Sequence, residues 1–151
     1  MTQSVGHNVA IEVASASDLA PIQSLLEQVG LPSAEVQLHI RLFLVARADE
    51  QVIGCIGMEQ YGESCLLRSL AVHPDYRGRG LGRMLIERII ARARERGARE
   101  AVILTNTVAP LAAKFGFQTV PRESVASPVA DSWEFRANCC RSAVCMRLRL
   151  L

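Results

Sequence analysis

No apolar run in this chain approaches the ~20 residues that a membrane-spanning helix needs, so membrane insertion is not expected. The first residues, Met1-Thr2-Gln3-Ser4-Val5-Gly6-His7, carry neither a basic start nor an apolar core. A secretory signal is therefore not expected. Cysteine occurs five times but never as C-x-x-C, which fits a reduced, cytoplasmic protein better than a disulfide framework. A strong charge of one sign is also missing. The net charge is +2 and the arginines are interleaved with glutamates, so there is no general case for nucleic-acid binding. What remains is globular: 50% of residues are hydrophobic and 21% charged, outside the range of disordered chains. At 151 residues one domain over 1–151 is expected, with residues 1–8 loose. Such a chain buries roughly 68–70% of its unfolded surface, enough for a real core.

The informative stretch is Leu66–Gly82. An apolar run, Leu66-Leu67-Arg68-Ser69-Leu70-Ala71-Val72, is long enough for a buried strand. His73-Pro74-Asp75 breaks it. A loop with Gly78, Gly80 and Gly82 then opens directly into a helical pattern. A strand feeding a glycine-rich turn at a helix N-terminus is an anion trap. The first turn leaves backbone N–H groups unpaired, and the helix dipole adds partial positive charge. Arg77, Arg79 and Arg83 add full charges. No Lys follows the glycines, which excludes the P-loop ending. The order G-x-G-x-G also differs from the dinucleotide fingerprint. A tight solvated turn is the bland alternative.

The spacing Arg77-x-x-Gly80-x-Gly82, preceded by Leu70-Ala71-Val72-His73-Pro74-Asp75-Tyr76, resembles motif A of the GCN5-related N-acetyltransferases. The resemblance implies an α/β (α+β) fold, with a mixed central sheet of about six to seven strands flanked by about four helices. It implies acetyl-coenzyme A as co-substrate and no metal. Arg77, Gly78, Arg79, Gly80, Leu81 and Gly82 would hold its pyrophosphate. The strand backbone at Leu70, Ala71 and Val72, where the family has a bulge, would supply N–H donors to the oxyanion. Asn106 and Ala112 would be further cofactor contacts.

The rest of the chain follows this pattern. Asn8–Ala14 alternates and reads as a strand. Ser17 is the expected N-cap of a helix whose apolar face is Leu19, Ile22, Leu25, Leu26 and Val29. Gly30 and Pro32 stop it. Ser33 is expected to cap a shorter helix through about His39. Leu42–Ala48 and Val52–Gln60 read as a hairpin, in which Gly54 and Gly57 mark either a bulge or close packing. Tyr61–Ser64 is the next turn, and Cys65–Val72 completes an antiparallel meander. The helix Leu81–Arg96 buries Leu81, Leu85, Ile89 and Ala93, with Arg88, Arg92, Glu95 and Arg96 on its wet side. Ala101–Leu104 rejoins the sheet in parallel. A short helix over Ala109–Lys114, a strand at Gln118–Val120, short turns from Pro121 and a last strand over Ser142–Leu150 complete the reading. In that strand Val144, Met146, Leu148 and Leu150 share one face.

Arg68 interrupts an apolar strand, which is costly unless an anion answers it. A guanidinium suits a carboxylate or phosphinate, so Arg68 either binds an anionic substrate or forms an internal ion pair. Arg41 is a second carboxylate clamp, or a solvated charge. His39 reads as a surface or half-buried histidine. Glu59 is the carboxylate best placed as general base; its alternative is an edge-strand surface charge. Many family members carry a Tyr acid four residues before the Gly of the terminal Gly-Phe. Here that position is Ala112, so Tyr61 is the substitute, unless it is a packing or surface residue.

Glu134-Phe135, Cys139 and Ser142-Ala143-Val144-Cys145-Met146, together with Arg68-Ser69, resemble a narrower branch. It holds short glutamate N-acetyltransferase-like proteins and arsenic-resistance N-acetyltransferases. This implies a small-molecule amine acceptor that is anionic and glutamate-like, with Arg68, Ser69 and Arg41 as its contacts. The resistance branch points to arsinothricin or phosphinothricin; glutamate itself is the alternative, and a non-catalytic acetyl-coenzyme A sensor is a third reading. Family analogy also allows a homodimer. Cys139, Cys140 and Cys145 are not expected to hold metal, since adjacent cysteines converge poorly and no His joins them.

Overall fold

The computed structural model describes residues 3–4, 9–137 and 141–150. The Cys139-Cys140 pair lies outside the described residues, as does most of the stretch 1–8. The described residues fall into two compact units. One comprises the chain through Met58 together with Ser69–Ile89; the other comprises Glu59–Arg68 and the chain from Ile90. Two long strands, β4 (Gln51–Tyr61) and β5 (Ser64–Val72), contribute to both.

In the first unit β1 (Gln3–Ser4) pairs antiparallel with β2 (Val9–Val13), β2 with β3 (Leu44–Ala48), and β3 with β4. The β3–β4 register slips between Ala46↔Gly54 and Arg47↔Val52. One extra residue, Ile53, sits on β4 there, so Gly54 borders a bulge. Gly57 marks close packing, because a Cβ there would overlap the ring of the fully buried Phe43. Helix α1 (Leu19–Gln28) buries Ile22, Leu25 and Leu26 in a cluster with Val36, Phe43, Val45, Cys55 and Ala71. Its entry differs from expectation. Ser15, not Ser17, caps the segment: a 3-10 turn over Ala16–Asp18 precedes the helix, and the Ser15 N–H donates to Asp18 Oδ2 at 2.9 Å. Asp18 is also held by both terminal nitrogens of Arg47, each at 3.1 Å. Burial alone would raise the Asp18 carboxyl, but the hydrogen bonds from Arg47 and Ser15 and the Arg47 charge together outweigh it and hold the group below its ordinary value. The next helix, α2 (Val36–His39), is shorter than expected. Glu35 precedes it with φ +62°, and a 3-10 turn over Ile40–Leu42 delays β3 to Leu44.

Helix α3 (Leu81–Glu95) buries Leu81, Leu85, Ile86, Ile89, Ile90 and Ala93, and Gly97 ends it at φ +85°. Arg88 and Arg92 are half-buried rather than on a fully wet side.

In the second unit β5 pairs parallel with β6 (Glu100–Thr105). α4 (Ala109–Lys114) and β7 (Gln118–Thr119) follow. After two short helices, α5 (Ser127–Ala130) and α6 (Trp133–Arg136), the chain returns as β8 (Val144–Arg149). This last strand pairs antiparallel with both β6 and β7. The hydrogen-bonded order among the described residues is β1-β2-β3-β4-β5-β6-β8-β7. The alternation expected for the last strand does not describe its burial. Val144 is exposed, whereas Cys145 is buried with Leu66, Val102, Val125 and Val129, because α5 covers that face.

Gly57→Ala is expected to cost about 1–3 kcal/mol by overpacking the Phe43 ring. The loss should be partly relieved in Gly57→Ala/Phe43→Leu, read as urea midpoints. An unchanged midpoint for Gly57→Ala would mean that the ring is free to move aside.

Candidate active site

The sequence-predicted residues form two groups, one in each unit. The first is the loop between β5 and α3. His73 N–H donates to Ile53 O at 2.8 Å, and the His73 ring accepts from Asp75 N–H at 3.1 Å, opening a 3-10 turn over Pro74–Tyr76. Arg77 Nε donates back to Val72 O at 3.1 Å and Arg79 Nη2 to Asp75 O at 3.4 Å. The Arg79 guanidinium lies 5.0 Å from the centre of the Tyr76 ring. These bonds shape the loop while Arg77, Gly78, Arg79, Gly80 and Arg83 stay exposed. Gly78 and Gly80 have φ +80° and +78°, where a side chain costs backbone strain. No atom lies within 4 Å of a Cβ built on either. The chain therefore turns into the first turn of α3 through two glycines with open space on their side-chain side. Leu81 is buried and anchors the helix start.

Just upstream, Ser69 has φ +64° within β5. The carbonyl of Ser69 accepts the Cys55 thiol at 3.2 Å. A non-glycine residue held in this region stores of order 1–3 kcal/mol and marks a local break in the ladder. It immediately precedes Leu70, Ala71 and Val72, the segment expected to offer free N–H groups. Ala71 is buried, and Leu70 and Val72 are half-buried. Arg41, at the centre of the 3-10 turn before β3, is exposed.

The second group is ionic and buried. Glu59 and Tyr61 are two residues apart on β4 and share a face. The Tyr61 hydroxyl donates to Glu59 Oε1. Arg68 Nη1 donates to Glu59 Oε2 at 2.7 Å, and Arg68 Nε lies 3.6 Å from Glu134 Oε2. The Arg68 and Glu59 side chains are fully buried and that of Glu134 is 8% exposed. Glu59 is therefore no edge-strand surface charge. Tyr61 ends a strand rather than lying in the turn, which is Gly62–Glu63, and it is half-buried. Burial pushes the Glu134 carboxyl from an ordinary 4.5 up to about 7; Glu59 reinforces the shift and Arg68 opposes it. Glu134 is the member that sequence reasoning missed. The signal was indirect: an arginine in an apolar strand demands anions, but nothing in the spacing says that one of them comes from the tail.

The second unit also holds Asn106 and Ala112. Asn106 is exposed after β6, where the Thr107 and Val108 N–H groups donate to Thr105 Oγ1 at 3.1 and 2.9 Å and start α4. Ala112 is buried within α4, so the side chain facing water nearby is that of Ala113. Among the described residues no cluster of His, Cys, Asp and Glu is arranged to hold a metal ion. No helix among them is long and apolar enough to cross a membrane.

Comparison with known proteins identifies the family and the fold. The family model for the acetyltransferase (GNAT) domain matches residues 39–119. An uncharacterized N-acetyltransferase of Chlorobaculum tepidum is 31% identical over 75% of this chain and 71% of its own length. The amino-acid acetyltransferase of Mannheimia succiniciproducens is 27% identical over 88% of this chain and 32% of its own. The crystal structure of N-acetylglutamate synthase from Neisseria gonorrhoeae, complexed with coenzyme A and N-acetyl-glutamate, superposes with a TM-score of 0.81 at 26% identity. That match covers 95% of this chain and 35% of the synthase chain. The chain belongs to the GNAT acetyltransferase family. It spans about a third of the length of the amino-acid acetyltransferase and of the synthase.

Two pH effects follow from the buried group. The folded Glu134 carboxyl binds its proton more tightly than the unfolded one. Its support for folding is therefore full below about 4.5 and is withdrawn as pH rises to about 7. Arg68→Met removes the guanidinium that Glu59 and Glu134 both face. It is expected to destabilise by about 3–5 kcal/mol at alkaline pH, and by less in mild acid, where Glu134 holds a proton. Urea unfolding at both pH values checks this, and an equal loss at both would contradict it.

Proposed function

We propose that this chain is an acetyl-coenzyme A-dependent N-acetyltransferase. Its proposed acceptor is the α-amine of a small amino acid with a second anionic group, glutamate ahead of its phosphinic and arsinic analogues. The observation that carries the reading is the open loop Arg77–Gly82, with glycines at φ +80° and +78° leading into the start of a helix. Likeness to a synthase solved with coenzyme A and N-acetyl-glutamate supports the same cofactor and favours glutamate over the arsenic-containing mimics. The loop fits a pyrophosphate, because exposed arginines lie in the same short loop as two glycines at a helix start, where unpaired N–H groups favour an anion. Acetyl-coenzyme A supplies an acyl thioester, so that a C–N bond forms as the C–S bond breaks.

The chain's own residues are assigned as follows. Backbone N–H groups of Leu70–Val72, after the turn at Ser69, donate to the acyl oxygen as it gains charge. The acceptor's ammonium must lose a proton before its nitrogen attacks. Glu59 is fully enclosed, so its contact with an acceptor runs through the half-buried Tyr61. In the proposed relay the Tyr61 oxygen takes the amine proton as its own O–H proton passes to Glu59 Oε1. Run in reverse, the relay returns a proton to the departing sulfur, the task that Ala112 cannot perform. Arg41, being exposed, is the proposed clamp for the acceptor's anionic group, with Ser69 beside the reacting segment. Of the two readings open for Arg68, the contact with Glu59 favours a role inside the protein.

Thiol release from acetyl-coenzyme A, with glutamate, phosphinothricin and arsinothricin in parallel, tests the acceptor. Turnover is expected with glutamate first. Preference for the two analogues would mean detoxification, and cofactor binding without turnover on any amine would mean a sensor.

Gly80→Val is expected to weaken coenzyme A binding at least tenfold by calorimetry, through backbone strain of about 1–2 kcal/mol at φ +78° and a displaced helix start. Gly62→Val, at φ +65° in the β4–β5 turn, is the control for strain alone. Equal affinity losses in the two variants would remove the loop from the binding site.

A further inference from the structure

Glu134 has no part in the relay proposed above, yet it is buried beside it. It lies on α6, in the segment that covers Leu66, Val102 and Cys145 with Val129 and Phe135. Its Oε2 sits 3.6 Å from Arg68 Nε, while Arg68 Nη1 is 2.7 Å from Glu59 Oε2. One guanidinium thus faces two carboxylates away from water, Glu59 from β4 and Glu134 from α6. The Tyr61 hydroxyl completes the line through its bond to Glu59 Oε1.

We propose that Glu134 is a positioning residue for acyl transfer: acting through Arg68, its gain or loss of a proton sets how strongly Glu59 draws the Tyr61 proton. This rests on the Tyr61–Glu59 relay. When Glu134 is neutral, it sets no negative charge beside Arg68, and the guanidinium is held on Glu59 Oε2. When Glu134 is ionised, Arg68 is divided between two carboxylates and a second negative charge stands near Glu59. Both changes favour passage of the Tyr61 proton to Glu59. Burial places the Glu134 transition near neutrality, at about 7, so that the change falls where the enzyme would work.

The test compares wild type, Glu134→Gln, Glu134→Asp and Glu59→Gln in two ways. The first is the pH profile of kcat/KM with acetyl-coenzyme A and glutamate. The second is the carbon-13 shift of the Glu59 carboxyl against pH in the protein without substrate, which does not depend on the acceptor. Glu134→Gln is expected to match wild type in mild acid and to fall about tenfold below it in alkali. Glu134→Asp should keep the rise. The Glu59 signal should move near neutral pH in wild type and stay still in Glu134→Gln. Parallel profiles and an identical Glu59 titration, with Glu59→Gln slow, would overturn the role of Glu134 and leave the relay standing. Full turnover by Glu59→Gln would overturn the relay and this inference with it. A merely structural Glu134 would lower activity by one factor at every pH.

Discussion

A guanidinium without water must be met by negative charge, and much of the second unit is arranged to meet the one on Arg68. Between Ser64 and Ser69 the strand that carries it is otherwise apolar, with Cys65, Leu66 and Leu67 all fully buried. Leaving such a charge unanswered would cost several kcal/mol. The answer comes from two directions. β4 turns back through Gly62–Glu63 and presents Glu59 on the face it shares with Tyr61. The tail, after crossing from β7 through two single-turn helices, presents Glu134. The ion cluster therefore ties a local hairpin to a segment more than sixty residues away in sequence. Two acids for one base leave a surplus negative charge, and burial resolves it by keeping a proton on Glu134 until near-neutral pH.

The cradle at Arg77–Gly82 obeys a different constraint, the geometry of backbone. Two glycines in left-handed conformation bring the chain round from β5, and the loop's own arginines bond to Val72 and Asp75 carbonyls. Ser69 takes a left-handed conformation without being glycine. Local strain of this kind persists only where the surroundings over-determine it. Here the residues on both sides are packed strand, and the Cys55 thiol reaches the Ser69 carbonyl.

How much of this was legible depended on the range of the interaction. The meander, α3 and α4 were readable because their signals are local: alternation, a 3.6-residue period, glycine at the stop. The loop was readable for the same reason, since its glycines and arginines are neighbours in sequence. The entry to α1 differs from the Ser17 cap expected, because the turn at Ser15 closes on Asp18, which Arg47 on β3 holds in place. The burial of Cys145 was unreadable, since alternation reports one covered face and α5 covers the other. Glu59 and Arg68 were picked out individually by type and position. That they meet each other and Glu134 depends on where the tail is laid down, which no spacing records.

The position of β8 carries a consequence for how the chain is made. It lies between β6 and β7 and pairs with both, yet it is later in sequence than either. During synthesis both neighbours are complete while the strand that separates them has still to emerge. Until then β6 presents an open hydrogen-bonding edge, the kind of template that recruits other chains. For about forty residues of synthesis after β6, a few seconds at the usual pace of translation, the growing sheet has a gap where its next strand belongs.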